Sequence, residues 1–228
     1  HRCEHQQTIS RCVAPPYLCV MERRYSTQRV QLQERAAGQL PLIVGYASVF
    51  YREDDPGTQY TLFPGLVERV EPSAFAKLAE DDVRALFNHE PTMVLGRAKA
   101  KTVKLSVDDT GLKYEIEPPD TVAGRDVLTS IRRGDVDGSS FAFRVRAEGV
   151  RWEEKPEYDV RVLTDLQVFD VGPVTYPAYE ATTAGVRSAL TDDEAIAQWR
   201  QWKEQRDAER DRVEKRLKDI QTWINTRS

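Results

Sequence analysis

At 228 residues, 40% hydrophobic and 31% charged, the chain can bury one ample core and falls outside the disordered and collagen-like classes. Lys+Arg 33 against Asp+Glu 37 gives a net charge of −4, which excludes a broad basic field for duplex phosphate, so nucleic acid is not an expected partner. No apolar run approaches the roughly 18–20 residues of a membrane-spanning helix, and no secretory pattern opens the chain, so a soluble protein made inside a cell, with no membrane partner, is expected.

The three cysteines, Cys3, Cys12 and Cys19, all stand in the first twenty residues. With His1 and His5 nearby a zinc site is conceivable, yet the gaps match no paired-ligand spacing, so neither a metal nor a disulfide framework is expected. Met21-Glu-Arg-Arg reads as an ordinary start, and residues 1–39 are expected to form a poorly ordered leader.

From about Leu40 the chain reads as short β segments cut by turns. Leu42-Ile-Val-Gly-Tyr-Ala-Ser-Val-Phe50 is β-rich, Asp54-Asp-Pro-Gly57 is a turn, and Leu66 to Val70 alternates as a strand. Glu71-Pro-Ser-Ala-Phe75 opens a short helix through Leu78, with Pro72 where its missing donor costs little. Val83 to Phe87 is a compact apolar strand, Ala98 to Val107 alternates, and Asp108-Asp-Thr-Gly111 turns into Leu112 to Glu117. A helix is predicted over Ala123 to Arg132, stopped by Gly134. Phe141 to Val150, a charged bend around Glu153 to Glu157, and Val160 to Val174 follow. Six or more β segments with two short helices predict a mainly β domain over residues 40–187, an antiparallel barrel or sandwich with peripheral helices.

Residues 188–228 change character. Over 191–228 there are nine acidic and nine basic side chains, with Ile196, Trp199, Val213, Leu217, Ile220 and Ile224 spaced by three, four or seven apart from the central break. This stripe predicts one long amphipathic helix, begun at Thr191-Asp-Asp-Glu194. Lys203, Arg206 and Arg210 interrupt the stripe and argue against a strict coiled coil. The helix either lies solvated on its own domain or binds a partner.

Within residues 21–228 there is a single histidine, His89, placed where an apolar strand leaves the sheet before Pro91. It is therefore the candidate general base for any histidine-assisted chemistry. In Gly138-Ser-Ser-Phe-Ala-Phe-Arg-Val145 a period of two puts Ser139, Phe141, Phe143 and Val145 on the apolar face, and leaves Ser140 with Ala142 and Arg144 on the other. Ser140 is the candidate nucleophile, since a serine hydroxyl needs an adjacent base. Asp170, flanked by residues that favour burial, needs a partner and is the candidate third member. Asp165 is its rival, while Asp135 and Asp137 read as turn residues.

Six segments in order carry a resemblance. Gly45-Tyr-Ala-Ser-Val-Phe50, Glu71-Pro-Ser-Ala-Phe75, Asn88-His89 with Val94-Leu-Gly-Arg97, Gly111-Leu-Lys-Tyr114, Gly138-Ser-Ser-Phe-Ala-Phe143 and Asp170-Val-Gly-Pro-Val-Thr-Tyr-Pro-Ala178 resemble the tailed-phage prohead serine proteases over roughly residues 40–183. The resemblance implies a closed antiparallel β-barrel of the herpesvirus-assemblin type, His89 as base, Ser140 as nucleophile and Asp170 as the acidic third residue. It implies a serine endopeptidase of head maturation without cofactor, acting in the immature head within the host cytoplasm. Its substrates would be scaffold or the scaffold-like segment of the capsid protein, and its own tail. A homo-oligomer and a tail helix contacting scaffold are further expectations. Ala142 stands where the family often has glycine, the third acid is often Glu, and no second histidine is available for the herpesvirus arrangement. Arg144, Arg146 or backbone amides near Ser140 are candidate oxyanion donors. The rival functions are an inert assembly protein on the same fold and a serine hydrolase of another acyl substrate.

Overall fold

The computed structural model describes residues 21–26, 28–176 and 189–225. The cysteines and the end of the expected protease domain at 187 lie outside them.

Among the described residues thirteen strands make three sheets. The first has the order β1 (Glu22–Ser26), β10 (Gly138–Val145), β13 (Leu166–Val174), β6 (Arg84–Leu86), β7 (Val94–Arg97). The second is β11 (Val150–Glu154), β12 (Asp159–Leu163), β5 (Leu66–Val70), β4 (Tyr60–Phe63), and the third β2 (Gln31–Gln33), β3 (Leu42–Val49), β9 (Gly111–Ile116), β8 (Val103–Val107). The fold is mainly β, as expected, but pairing is not purely antiparallel: β5 with β12 and β6 with β13 run parallel. None of the three hydrogen-bonded ladders closes on itself among the described residues. β3 packs against β1, β10 and β13 instead, so the sheets enclose one core. Its centre is aromatic: Phe141 and Phe143 stack at 4.7 Å, and Phe75 meets Phe141 edge-on at 6.1 Å.

Helix α1 (Val122–Arg133) begins where the Thr121 hydroxyl accepts from the Gly124 amide and ends at left-handed Gly134, φ 81°. It buries Val127, Leu128 and Ile131 against that core. Glu71 to Leu78 is two short 3-10 turns, Pro72–Phe75 and Leu78–Glu80, rather than one helix. The stretch Val160 to Val174 is two strands because the chain turns at Thr164-Asp165, and Glu153 and Glu154 close β11 rather than opening a bend.

The expected leader is corrected in its second half. β1 and β2 lie within it, and Val30 joins the core. Glu22-Arg-Arg read as a polar start because its buried charges neutralise one another only in three dimensions. Arg24 Nε donates to Glu68 Oε1 at 2.5 Å and Nη2 to Glu22 Oε2 at 2.8 Å, while Arg161 Nη1 lies 2.8 Å from Glu22 Oε2 and 2.6 Å from Glu68 Oε2. Two carboxylates and two guanidiniums thus tie β1 to β5 and β12. Burial works against the Glu22 carboxylate, but Arg161 and Arg24 outweigh it and hold its pKa below the usual range.

Helix α2 (Ala189–Asn225) is about 55 Å long at ~1.5 Å per residue. Its first half docks: Ala195, Ile196 and Trp199 pack on Leu62 and Leu66, Trp202 stacks on Trp152, and Trp199 donates to Asp159 at 2.7 Å. The interrupting cations are used, since Arg206 and Arg210 ion-pair with Glu154. Beyond them Val213, Leu217 and Ile220 are 49%, 61% and 47% exposed. The first half of the tail thus lies on its own domain, as one of the two readings expected, and the second half has an apolar edge in solvent.

Candidate active site

Three neighbouring strands carry the predicted residues. Ser140 lies on β10, Asp170 on β13, and His89 just past the end of β6. Register pairs Ser140 with Gly172 and Ala142 with Asp170, so these four positions share one face. Glycine and alanine leave room there for an imidazole. Gly172 also has a backbone reason, because a Cβ would sit 2.0 Å from the Leu86 carbonyl oxygen, and β6 can close this tightly only on a glycine.

The chain leaves β6 through Asn88 and His89, both left-handed at φ 55° and 56°, which turns the ring back across β13. His89 Nδ1 lies 2.5 Å from Asp170 Oδ1 and Nε2 lies 2.5 Å from Ser140 Oγ. A carboxylate only accepts, so Nδ1 carries the proton and Nε2 of the neutral ring accepts from the serine hydroxyl. All three are buried: Ser140 0%, Asp170 6% and His89 8% exposed.

Ser140 Oγ has a second acceptor, the Arg24 carbonyl of β1, at 2.9 Å. One hydroxyl proton cannot serve both acceptors fully. When it goes to Arg24, Nε2 must donate to Oγ, which requires an imidazolium; when the ring is neutral, the proton points at Nε2 and the serine is primed. The same Arg24 has its side chain in the four-charge cluster, so that cluster fixes the carbonyl facing the hydroxyl.

Ser139, on the opposite face, contacts the Tyr114 hydroxyl at 2.6 Å over Gly45, where a Cβ would fall 2.4 Å from that oxygen. Burial raises the Tyr114 pKa far above the ordinary range, outweighing its bond to Ser139, so the phenol stays protonated and is no base. Asp165, the rival acid, is engaged by Lys77 at 2.5 Å and by Arg146 at 3.3 Å, away from the imidazole. Asp135 pairs with Arg133 and Asp137 with Arg29, as turn residues do. Arg146 donates to Asp81 at 2.6 Å, and Arg144 lies over Phe169 at 5.2 Å. The Arg144 backbone stands four residues from Ser140 on β10, about 13 Å at ~3.3 Å per residue, and Arg146 follows the end of the strand.

Sequence reasoning missed the Arg24 carbonyl, the Asn88 bridge described below and the charge cluster. The first has no sequence signal, since every residue has a carbonyl. The cluster had one: Glu68 and Arg161 each stand amid apolar residues in a short strand, Glu68 after Leu66-Val67 and Arg161 between Val160 and Val162.

No curated protein matches the chain. Among solved structures, the capsid assembly protease gp21 of bacteriophage T4 aligns with 11% identity, covering 69% of this chain and 99% of that one, at a TM-score of 0.41. The family model described as caudovirus prohead serine protease matches residues 27–195, taking in β2, all the site strands and the start of α2. With that match over most of its length, the chain belongs to the caudovirus prohead serine proteases.

Proposed function

We propose that this protein hydrolyses peptide bonds with Ser140 as nucleophile, His89 as general base and Asp170 as the carboxylate that orients the ring. The reading is carried by one observation, the unbroken file of two 2.5 Å contacts from Asp170 through His89 to Ser140. In the first step Ser140 gives its proton to Nε2 while Oγ attacks the scissile carbonyl. The imidazolium, held by Asp170, then protonates the leaving amine, and water attacks the acyl-enzyme with the same ring as base. Ser140 has no exposed surface, and the Arg24 carbonyl is among the groups that cover its hydroxyl.

Family membership supports head maturation inside the prohead, in the host cytoplasm, as the setting. It also supports scaffold, or the scaffold-like segment of the capsid protein, as substrate, together with the protein's own tail. An assemblin-type barrel is the arrangement this membership favours for the three sheets. The test is co-expression with the phage's capsid and scaffolding proteins. Shortening of those chains that disappears with Ser140→Ala supports the proposal; fragments that persist in the variant, or no shortening by the wild type, contradict it and leave the inert assembly protein or another acyl hydrolase.

A further inference from the structure

The geometry points to Asn88 as a positioning residue for His89, acting through Thr175. This inference rests on the triad proposed above. The parallel ladder of β6 with β13 pairs Asp170 with Arg84 and Val171 with Ala85, and its last backbone bond runs from the Asn88 amide to the Pro173 carbonyl at 3.1 Å. There the backbone turns left-handed for two successive residues, a conformation unfavourable for any residue with a Cβ and tolerated best by asparagine. The Asn88 side chain continues the ladder that the backbone abandons. Its Oδ1 accepts from the Thr175 amide at 2.8 Å and its Nδ2 donates to Thr175 Oγ1 at 3.1 Å. Thr175 follows the last residue of β13, the strand that carries Asp170 and faces Ser140 with Gly172.

The bridge therefore pins the turn that carries the imidazole to the end of the strand that carries Asp170, next to the strand of Ser140. No other described side-chain hydrogen bond fixes the backbone of residues 88–89, and His89 itself spends both ring nitrogens on Asp170 and Ser140. Loss of the bridge should let the turn drift without unfolding the sheet, because Asn88 is exposed and outside the core. Drift of about 1 Å in a catalytic group costs on the order of a hundredfold in rate.

The test is the kinetics of a fluorophosphonate probe, separating the inactivation rate constant from the probe's affinity. Asn88→Ala should slow the rate constant about 10- to 100-fold, with affinity and thermal midpoint nearly unchanged. Thr175→Ala should give part of that loss, Thr175→Ser should restore it, and the double variant should be no slower than Asn88→Ala. Asn88→Gly, which keeps the left-handed freedom but lacks the carboxamide, should resemble Asn88→Ala and serves if that variant folds poorly. Wild-type rates in Asn88→Gly or Asn88→Ala, or a weakened affinity with an unchanged rate constant, would overturn the assignment. Labelling that survives Ser140→Ala would overturn the triad itself, a distinct outcome.

Discussion

Two buried polar constellations lie on either side of Arg24, and they are satisfied in opposite ways. In the cluster of Glu22, Arg24, Glu68 and Arg161 each charge has at least two opposite partners, and formal charge sums to zero. In the file Asp170, His89, Ser140 each contact is single, and the serine proton has a choice between Nε2 and the Arg24 carbonyl. Redundant satisfaction fixes a strand; single satisfaction with an undecided proton leaves a group free to react. The two meet at one residue whose side chain belongs to the first and whose carbonyl belongs to the second.

The largest effects should come from the single file. Ser140→Ala and His89→Ala should each abolish cleavage of the head proteins while the thermal midpoint stays put, and Asp170→Asn should lower the rate by about 10⁴. Gly172→Ala should cost nearly as much activity, because the β6 end that carries His89 must move away from the new methyl, measured by the same cleavage assay. Retained activity in any of these would erase the contrast with the cluster.

The cluster should answer to stability instead. Glu68→Ala leaves Arg24 and Arg161 short of charge and should destabilise by about 3–5 kcal/mol in a denaturant titration. Acid should act through Glu22. Its pKa in the folded state is depressed, so its stabilising contribution is complete above the ordinary glutamate value of about 4.3 and is lost as pH falls through the lower folded value. Stability should decline below about pH 4, and a Glu22→Gln variant should lose part of that dependence.

The smallest effects sharpen the same lesson along α2. Trp199→Ala, which removes a docked indole and its bond to Asp159, should cost about 2 kcal/mol. Leu217→Ala, on the exposed edge, should stay within about 0.5 kcal/mol.

Much of the candidate site was legible in the sequence for physical reasons. A single histidine in the body leaves no rival base, period two separates Ser139 from Ser140, and Asp170 between apolar neighbours demands a partner. Strand and helix content was legible from periodicity, and the tail from its stripe. Parallel pairing was not, since alternation looks the same whichever way a neighbour runs. The strand status of residues 22–26 was hidden because its buried charges resemble solvated ones until Glu68 and Arg161, 44 or more positions away, are brought beside them. Arg144 and Arg146 offered cations close to Ser140 in sequence, but one lies over Phe169 and the other pairs with Asp81.

Activation of Ser140 by His89 is the step on which the proposed hydrolysis depends. Intact mass and peptide mapping after exposure to a fluorophosphonate test it directly. The account predicts one adduct, on Ser140, that forms in the wild type and is lost in His89→Ala. An adduct on another residue, or equal modification of Ser140 without the imidazole, would contradict it.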